Sequence, residues 1–211
     1  MLKTRYRVLS IDPGITNTGW AITDYNVKTT AMTTSAYGHF DKAYLINQRK
    51  AMQARDMYKR YVKHYVLLDA YFYVICDLIE KYKPDELVCE GAFAHKFIQA
   101  YMSLTLVIHT IRRASHACLD KDIHIVAPQE AKLWVTSSGM STKTETSTAI
   151  LEYENLTIKS NKQRMIEKAP NHVFDAIAIG VTFIQKSLVV MLSAEDTGQD
   201  DVKIKQKRCP P

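Results

Sequence analysis

The chain is expected to fold as a mixed α/β domain, a five-stranded sheet with helices on both faces. Three features of the sequence lead there. Residues 6–39 carry three apolar stretches separated by short turn sequences, which read as consecutive antiparallel strands. Beyond them, stretches with helical apolar spacing alternate with short buried strands. Pro and Gly punctuate several of the joints, as at Pro13-Gly14, Thr18-Gly19, Pro84, Pro128 and Pro170. Hairpins first and alternation afterwards describe a mixed sheet covered on both sides.

Residues 6–12 form the predicted central strand and 19–25 its hairpin partner. Gly14 and Gly19 flank the loop between them, where a missing side chain allows unusual dihedrals and the close approach of another backbone or a phosphate. A third strand is expected over 32–39. Residues 42–82 read as one long helix, with Met52, Met57, Tyr61, Leu68, Phe72, Ile75 and Ile79 at helical spacing. Its basic residues, Arg49, Lys50, Arg55, Lys59, Arg60 and Lys63, form either a solvated face or one turned to nucleic acid. Asp85 to Glu90 is a short buried strand, 96–118 a sheet-covering helix, and Ile123 to Val126 a fifth strand. A short helix over 129–135, a flexible connector over 136–141 and a helix over 143–153 follow. The stretch 156–169 is polar and basic. Asn171 is the expected N-cap of a last helix over 171–191.

A chain of 211 residues is most economically one domain. Its extent is taken as 1–193, with 194–211 a polar, basic tail that either solubilises the chain or touches a phosphate backbone. The net charge of +6, from 28 Lys plus Arg against 22 Asp plus Glu, permits nucleic-acid binding without demanding it. Cys76, Cys89, Cys118 and Cys209 form no C-x-x-C pair and three sit in apolar segments, which argues against a zinc site or disulfide framework. No apolar block of signal-peptide type opens the chain, and Gln185 and Lys186 interrupt the last helix short of a membrane-spanning length. A reducing intracellular setting without a membrane is the expectation.

The chemistry lies in the acids. Asp12 ends an apolar strand and precedes Pro-Gly; alone, it reads equally as a turn residue. Glu90 repeats the pattern, an apolar run ending in an acid and a glycine. His172 and Asp175 stand three apart at the start of a helix, and so share one face. Acids held at the ends of buried elements are a divalent-metal arrangement, because hard cations take oxygen ligands on rigid backbone. With the basic surroundings, they point to a metal-dependent enzyme acting on a phosphate polymer.

In its ordered motifs the chain resembles the RuvC-type Holliday junction resolvases of the ribonuclease H-like superfamily. The opening Ile11-Asp12-Pro13-Gly14 followed by Thr18-Gly19, the second acid Glu90 with Phe93 three residues on, and the closing His172 and Asp175 all match the family pattern. Between them, Pro128, Lys132, Gly139 and Lys143 match its strand, proline, lysine, glycine loop and second lysine. Two departures stand out: His172 where many relatives have Asp, and Ser137 where the loop usually carries its first glycine. The span from Gly38 to Glu90 is longer than in bacterial relatives, which points to a phage or other mobile-genome origin and action in a host cytoplasm.

The resemblance implies a ribonuclease H-like fold and a structure-selective endonuclease that cuts four-way DNA junctions in pairs, leaving 5′-phosphate and 3′-hydroxyl ends. It implies a site of Asp12, Glu90, His172 and Asp175 holding two Mg²⁺, with Mn²⁺ as a substitute, His172 either ligating a metal or positioning the water. It places Lys132 and Lys143 on DNA phosphates near the scissile group and Phe93 against bases at the branch point. Taken without it, two lysines read as solvated and Phe93 equally as core. A homodimer is implied as well, with the 96–118 helix as the dimer element. The alternatives are a nuclease for forks or flaps, a junction-binding protein that does not cut, and an actin-like ATPase or sugar kinase, for whose second domain this length leaves little room.

Overall fold

A computed structural model describes residues 3–48, 63–93, 98–159 and 166–196. The basic residues Arg49, Lys50, Arg55, Lys59 and Arg60, the Lys63 side chain and the tail from residue 197 lie outside these limits.

Strands β1 (Arg5–Asp12), β2 (Asn17–Asn26) and β3 (Met32–Asp41) form an antiparallel meander. β4 (Glu86–Glu90) joins the other side of β1 in parallel, and β5 (His124–Val126) adds to β4 in parallel. The sheet has six strands rather than the five expected, in the order β5-β4-β1-β2-β3-β6. The extra strand is β6 (Leu156–Ile158), parallel to β3, within the polar, basic stretch 156–169. Three residues cannot display a period of two, so only the neighbouring edge reveals this strand.

The expected single helix over 42–82 is interrupted. α1 (Lys42–Asn47) ends where Gln48 turns extended, at φ −59° and ψ 140°. α2 (Lys63–Tyr82) reaches the Pro84 stop. α3 (Ile98–Leu119), α4 (Pro128–Thr136), α5 (Lys143–Leu151) and α6 (Asn171–Phe183) follow. α6 passes into a π-helical turn, Ile184–Leu188, and then α7 (Val189–Asp196). Asn171 is the first helical residue and not the N-cap; Pro170 occupies the cap position, where a proline needs no hydrogen-bond donor.

The helices divide between the two faces of the sheet. Leu9, Ile11, Leu87 and Cys89 pack with residues of α1, α2 and α3. Val8, Ala21, Val88 and Val126 pack with α4, α5 and α6. Alternate residues of a strand face opposite sides, so Ser10 and Asp12 share the α6 face with Val8, and Glu90 shares it with Val88.

α6 is buried on nearly every side, and with its continuation to Leu192 it is long and apolar enough to cross a membrane, contrary to the expectation that Gln185 and Lys186 would break it. Its position between the sheet and two helices accounts for that composition, since a helix covered all round needs no polar face. Two contacts let it lie so close. A Cβ on Gly19 would overlap the His172 carbonyl, and one on Gly180 would come within 2.8 Å of Ser10 Oγ. The Thr-Gly of the opening motif therefore admits another backbone, the start of α6.

Candidate active site at the strand ends

Asp12 is the last residue of β1 and only 8% exposed. The parallel register pairs Ser10 with Val88 and Ile11 with Cys89; one step further sets Asp12 beside Glu90, on strands about 4.8 Å apart. On the other flank Asp12 pairs with Gly19, over which α6 begins. That approach delivers His172 and Asp175, one helical turn apart, onto the Asp12 carboxylate. His172 Nδ1 lies 2.6 Å from Asp12 Oδ2. The loop after Asp12 is tied down from within. Thr18 Oγ1 donates to the Gly14 carbonyl at 2.6 Å and shares a hydrogen bond with the buried Tyr71 hydroxyl at 3.0 Å. Nothing in the sequence singled out Tyr71, whose partner is 53 residues away.

The charges at this end of the sheet are badly matched. Burial, reinforced by Asp12 and Asp175, pushes the Glu90 carboxyl up to about 8 against the pull of Lys132 and His172. Burial and Asp12 push Asp175 up to about 6, opposed by Lys143, His172 and Lys132. His172 is raised because its hydrogen bond to Asp12 outweighs burial, with the Asp12 charge adding to it. Both lysines thus lie within electrostatic reach of the acids, Lys132 on α4 and Lys143 in the first turn of α5. A reciprocal capping box fixes that turn, Glu145 N–H donating to Thr142 Oγ1 and Thr142 N–H to Glu145 Oε2. Ser137, between the two helices, sits in the left-handed region at φ 59°, a conformation that glycine adopts most readily.

Asp12, His172 and Asp175 each present a ligand atom within 4.8 Å of the others. Glu90 stands outside that tight group, as the register neighbour of Asp12. Glu90 and Asp175, both pushed up by burial and by the neighbouring Asp12 charge and both without an ion pair among the described residues, fit a divalent cation well, since it would relieve the repulsion through hard oxygen donors. Imidazole adds a donor that Mn²⁺ accepts. Phe93, three residues past Glu90, is 58% exposed and therefore not a core residue.

A mixed sheet of this strand order with helices on both faces is the ribonuclease H-like fold. Solved structures share the fold. Thermus thermophilus RuvC in complex with a Holliday junction substrate aligns with a TM-score of 0.61 and 14% identity, over 84% of this chain and 92% of that one. The yeast mitochondrial Holliday junction resolvase Ydc2 aligns at 0.63 and 11% identity, over 92% and 84%. The fowlpox virus Holliday junction resolvase aligns at 0.51 and 13% identity, over 85% and 98%. No protein-family model and no curated protein sequence matches the chain.

Proposed function

We propose that this protein is a metal-dependent DNA endonuclease that resolves four-way junctions, in recombination and repair of DNA inside the cell. The observation that carries the reading is the meeting of Asp12, Glu90, Asp175 and His172 with Lys132 and Lys143 at one end of a ribonuclease H-like sheet. The solved structures that share the fold, a RuvC bound to a Holliday junction substrate and two Holliday junction resolvases, support the choice of substrate.

Asp12, Asp175 and Glu90 would hold two Mg²⁺, with Mn²⁺ as a substitute. Such ions supply an activated water and stabilise the departing 3′ oxygen of the phosphodiester. The chain's own contribution is placement. β1 and β4 hold two carboxylates side by side, while α6 brings the third and the imidazole over Gly19. His172 fixes the Asp12 carboxylate through Nδ1 and lowers the negative charge of the site relative to an aspartate in its place. Lys132 and Lys143 receive the scissile phosphate and its neighbour and offset their charge. Phe93, exposed three residues beyond Glu90, stacks on a base at the branch point. Cleavage gives a 5′-phosphate and a 3′-hydroxyl.

Each chain brings one such site, and paired cuts need two, so the working unit is a homodimer. Ile98, Tyr101, Met102 and Leu106 form an exposed apolar stripe on the first half of α3, which supports α3 as the surface that meets a second copy. The deciding experiment compares cleavage of four-way, three-way and linear duplexes at one salt concentration, with sedimentation of the free and junction-bound protein. Paired nicks in the four-way junction by a dimer are expected. A monomer cutting one strand would instead assign it to forks or flaps, and binding without cutting would leave a junction-binding protein.

A further inference from the structure

The hydrogen-bonded row that carries the acids does not stop at β2. Glu90 neighbours Asp12, Asp12 pairs with Gly19, and Gly19 pairs with His39 of β3. Residues opposite one another in such a row point to the same face of the sheet. The packing agrees: Tyr37 joins the cluster on the α6 face, while Phe40 joins the cluster on the other, so His39 belongs with Tyr37. With two strand spacings between them, His39 stands roughly 10 Å from Asp12. The start of α6, resting on Gly19, lies between the two, so His39 is exposed just beyond it.

A strand laid across the acids runs along this end of the sheet, and toward β3 the first side chain of the row it meets is His39. An imidazole there can donate a hydrogen bond to a phosphate oxygen, whatever the base. The neighbouring acid does not compete for that place. Asp41, on the same face two residues on, accepts from Tyr44 N–H at 2.7 Å and so is committed to capping α1. Lys42 follows it, exposed, at the same margin.

We infer that His39 binds a backbone phosphate of the cut strand, within a couple of nucleotides of the scissile one. The site extends from β4 across to β3, beyond the acids and the two lysines. This inference rests on the nuclease reading above.

Binding of a fluorescent four-way junction would be measured in Ca²⁺ across a salt series, for the full chain and for His39→Ala and His39→Lys. His39→Ala should weaken binding about fivefold, the worth of one hydrogen bond, with the loss in cleavage falling on KM more than on kcat. His39→Lys should restore the affinity and steepen the dependence of log K on log salt by about 0.9 relative to His39→Ala. A residue with only a structural role would change thermal stability and leave that slope alone. Equal affinities and slopes for all three proteins would overturn the inference while leaving the nuclease reading in place. Failure of the unaltered protein to bind branched DNA would overturn both.

Discussion

His172 Nδ1 and Asp12 Oδ2 lie 2.6 Å apart although 160 residues separate them in the chain. The contact closes the site, because it fastens the first turn of α6 to the last residue of the central strand. It also gives the departure from an all-carboxylate site a physical meaning, since an imidazole can donate to Asp12 where an aspartate would repel it. His172→Asp should therefore retain measurable cleavage but shift the balance between Mg²⁺ and Mn²⁺. An unchanged metal profile in His172→Ala, measured by initial nicking rates in each ion, would remove this residue from the working site.

Replacing Asp12 with Asn, or Glu90 with Gln, should abolish cleavage and leave folding intact. Loss of groups that only support metal ligands costs 10–100-fold, so loss of a ligand itself should cost at least about 100-fold. Circular dichroism should be unaltered and junction binding kept. Full Mg²⁺-dependent activity in Asp12→Asn would show that the metal centre lies elsewhere.

Without metal, the site should make stability fall as pH rises. Glu90, at about 8 when folded and near 4.5 when unfolded, keeps its proton in the folded state over that interval while the unfolded chain releases it. The folded state then binds more protons, which is the condition for stability to decrease with pH. Asp175, at about 6, adds to the effect at the lower end. In chelator, the melting temperature should drop between pH 5 and about 8, and Glu90→Gln should flatten the drop. Added Mg²⁺ should restore stability most at the upper end. A chelated protein whose stability rises over this interval would contradict the crowding of the acids.

Phe93→Ala should cost activity on intact four-way junctions and much less on substrates already unpaired beside the cut. With the ring 58% exposed, the melting temperature should stay within a degree or so, as for most surface substitutions. Equal losses on both substrates would rule out a role at the branch point.

Ser137→Gly should stabilise the protein. A non-glycine residue in the left-handed region carries a penalty of about 1–2 kcal/mol, partly offset by the extra freedom glycine has when unfolded. A net gain of up to about 1 kcal/mol in urea denaturation is the expected result. A loss would mean that the hydroxyl holds the loop between α4 and α5 in some other way.

Much of the architecture is written locally. The strands around Asp12 and Glu90 announce themselves through apolar runs that end in an acid, and the spacing of His172 and Asp175 places both on one helical face before any partner is known. Those features are local because period and end signals depend on neighbours within a turn or a few residues of strand. The short β6 edge, the break after Asn47 and the cap at Pro170 escaped the same reading. Each is decided by what lies across the sheet or against the helix end.

The amino-acid sequence by itself determined which residues could do chemistry, because the residue types and their places at element ends are properties of the chain. Only the tertiary structure decided how they meet. The pairing of β1 with β4 sets Asp12 beside Glu90, and the missing side chain at Gly19 lets α6 descend until His172 touches Asp12. It also decided which groups remain exposed beyond them, Phe93 on one side and His39 on the other. Distances of that kind follow from register and close packing between segments far apart in sequence, and no local pattern encodes them.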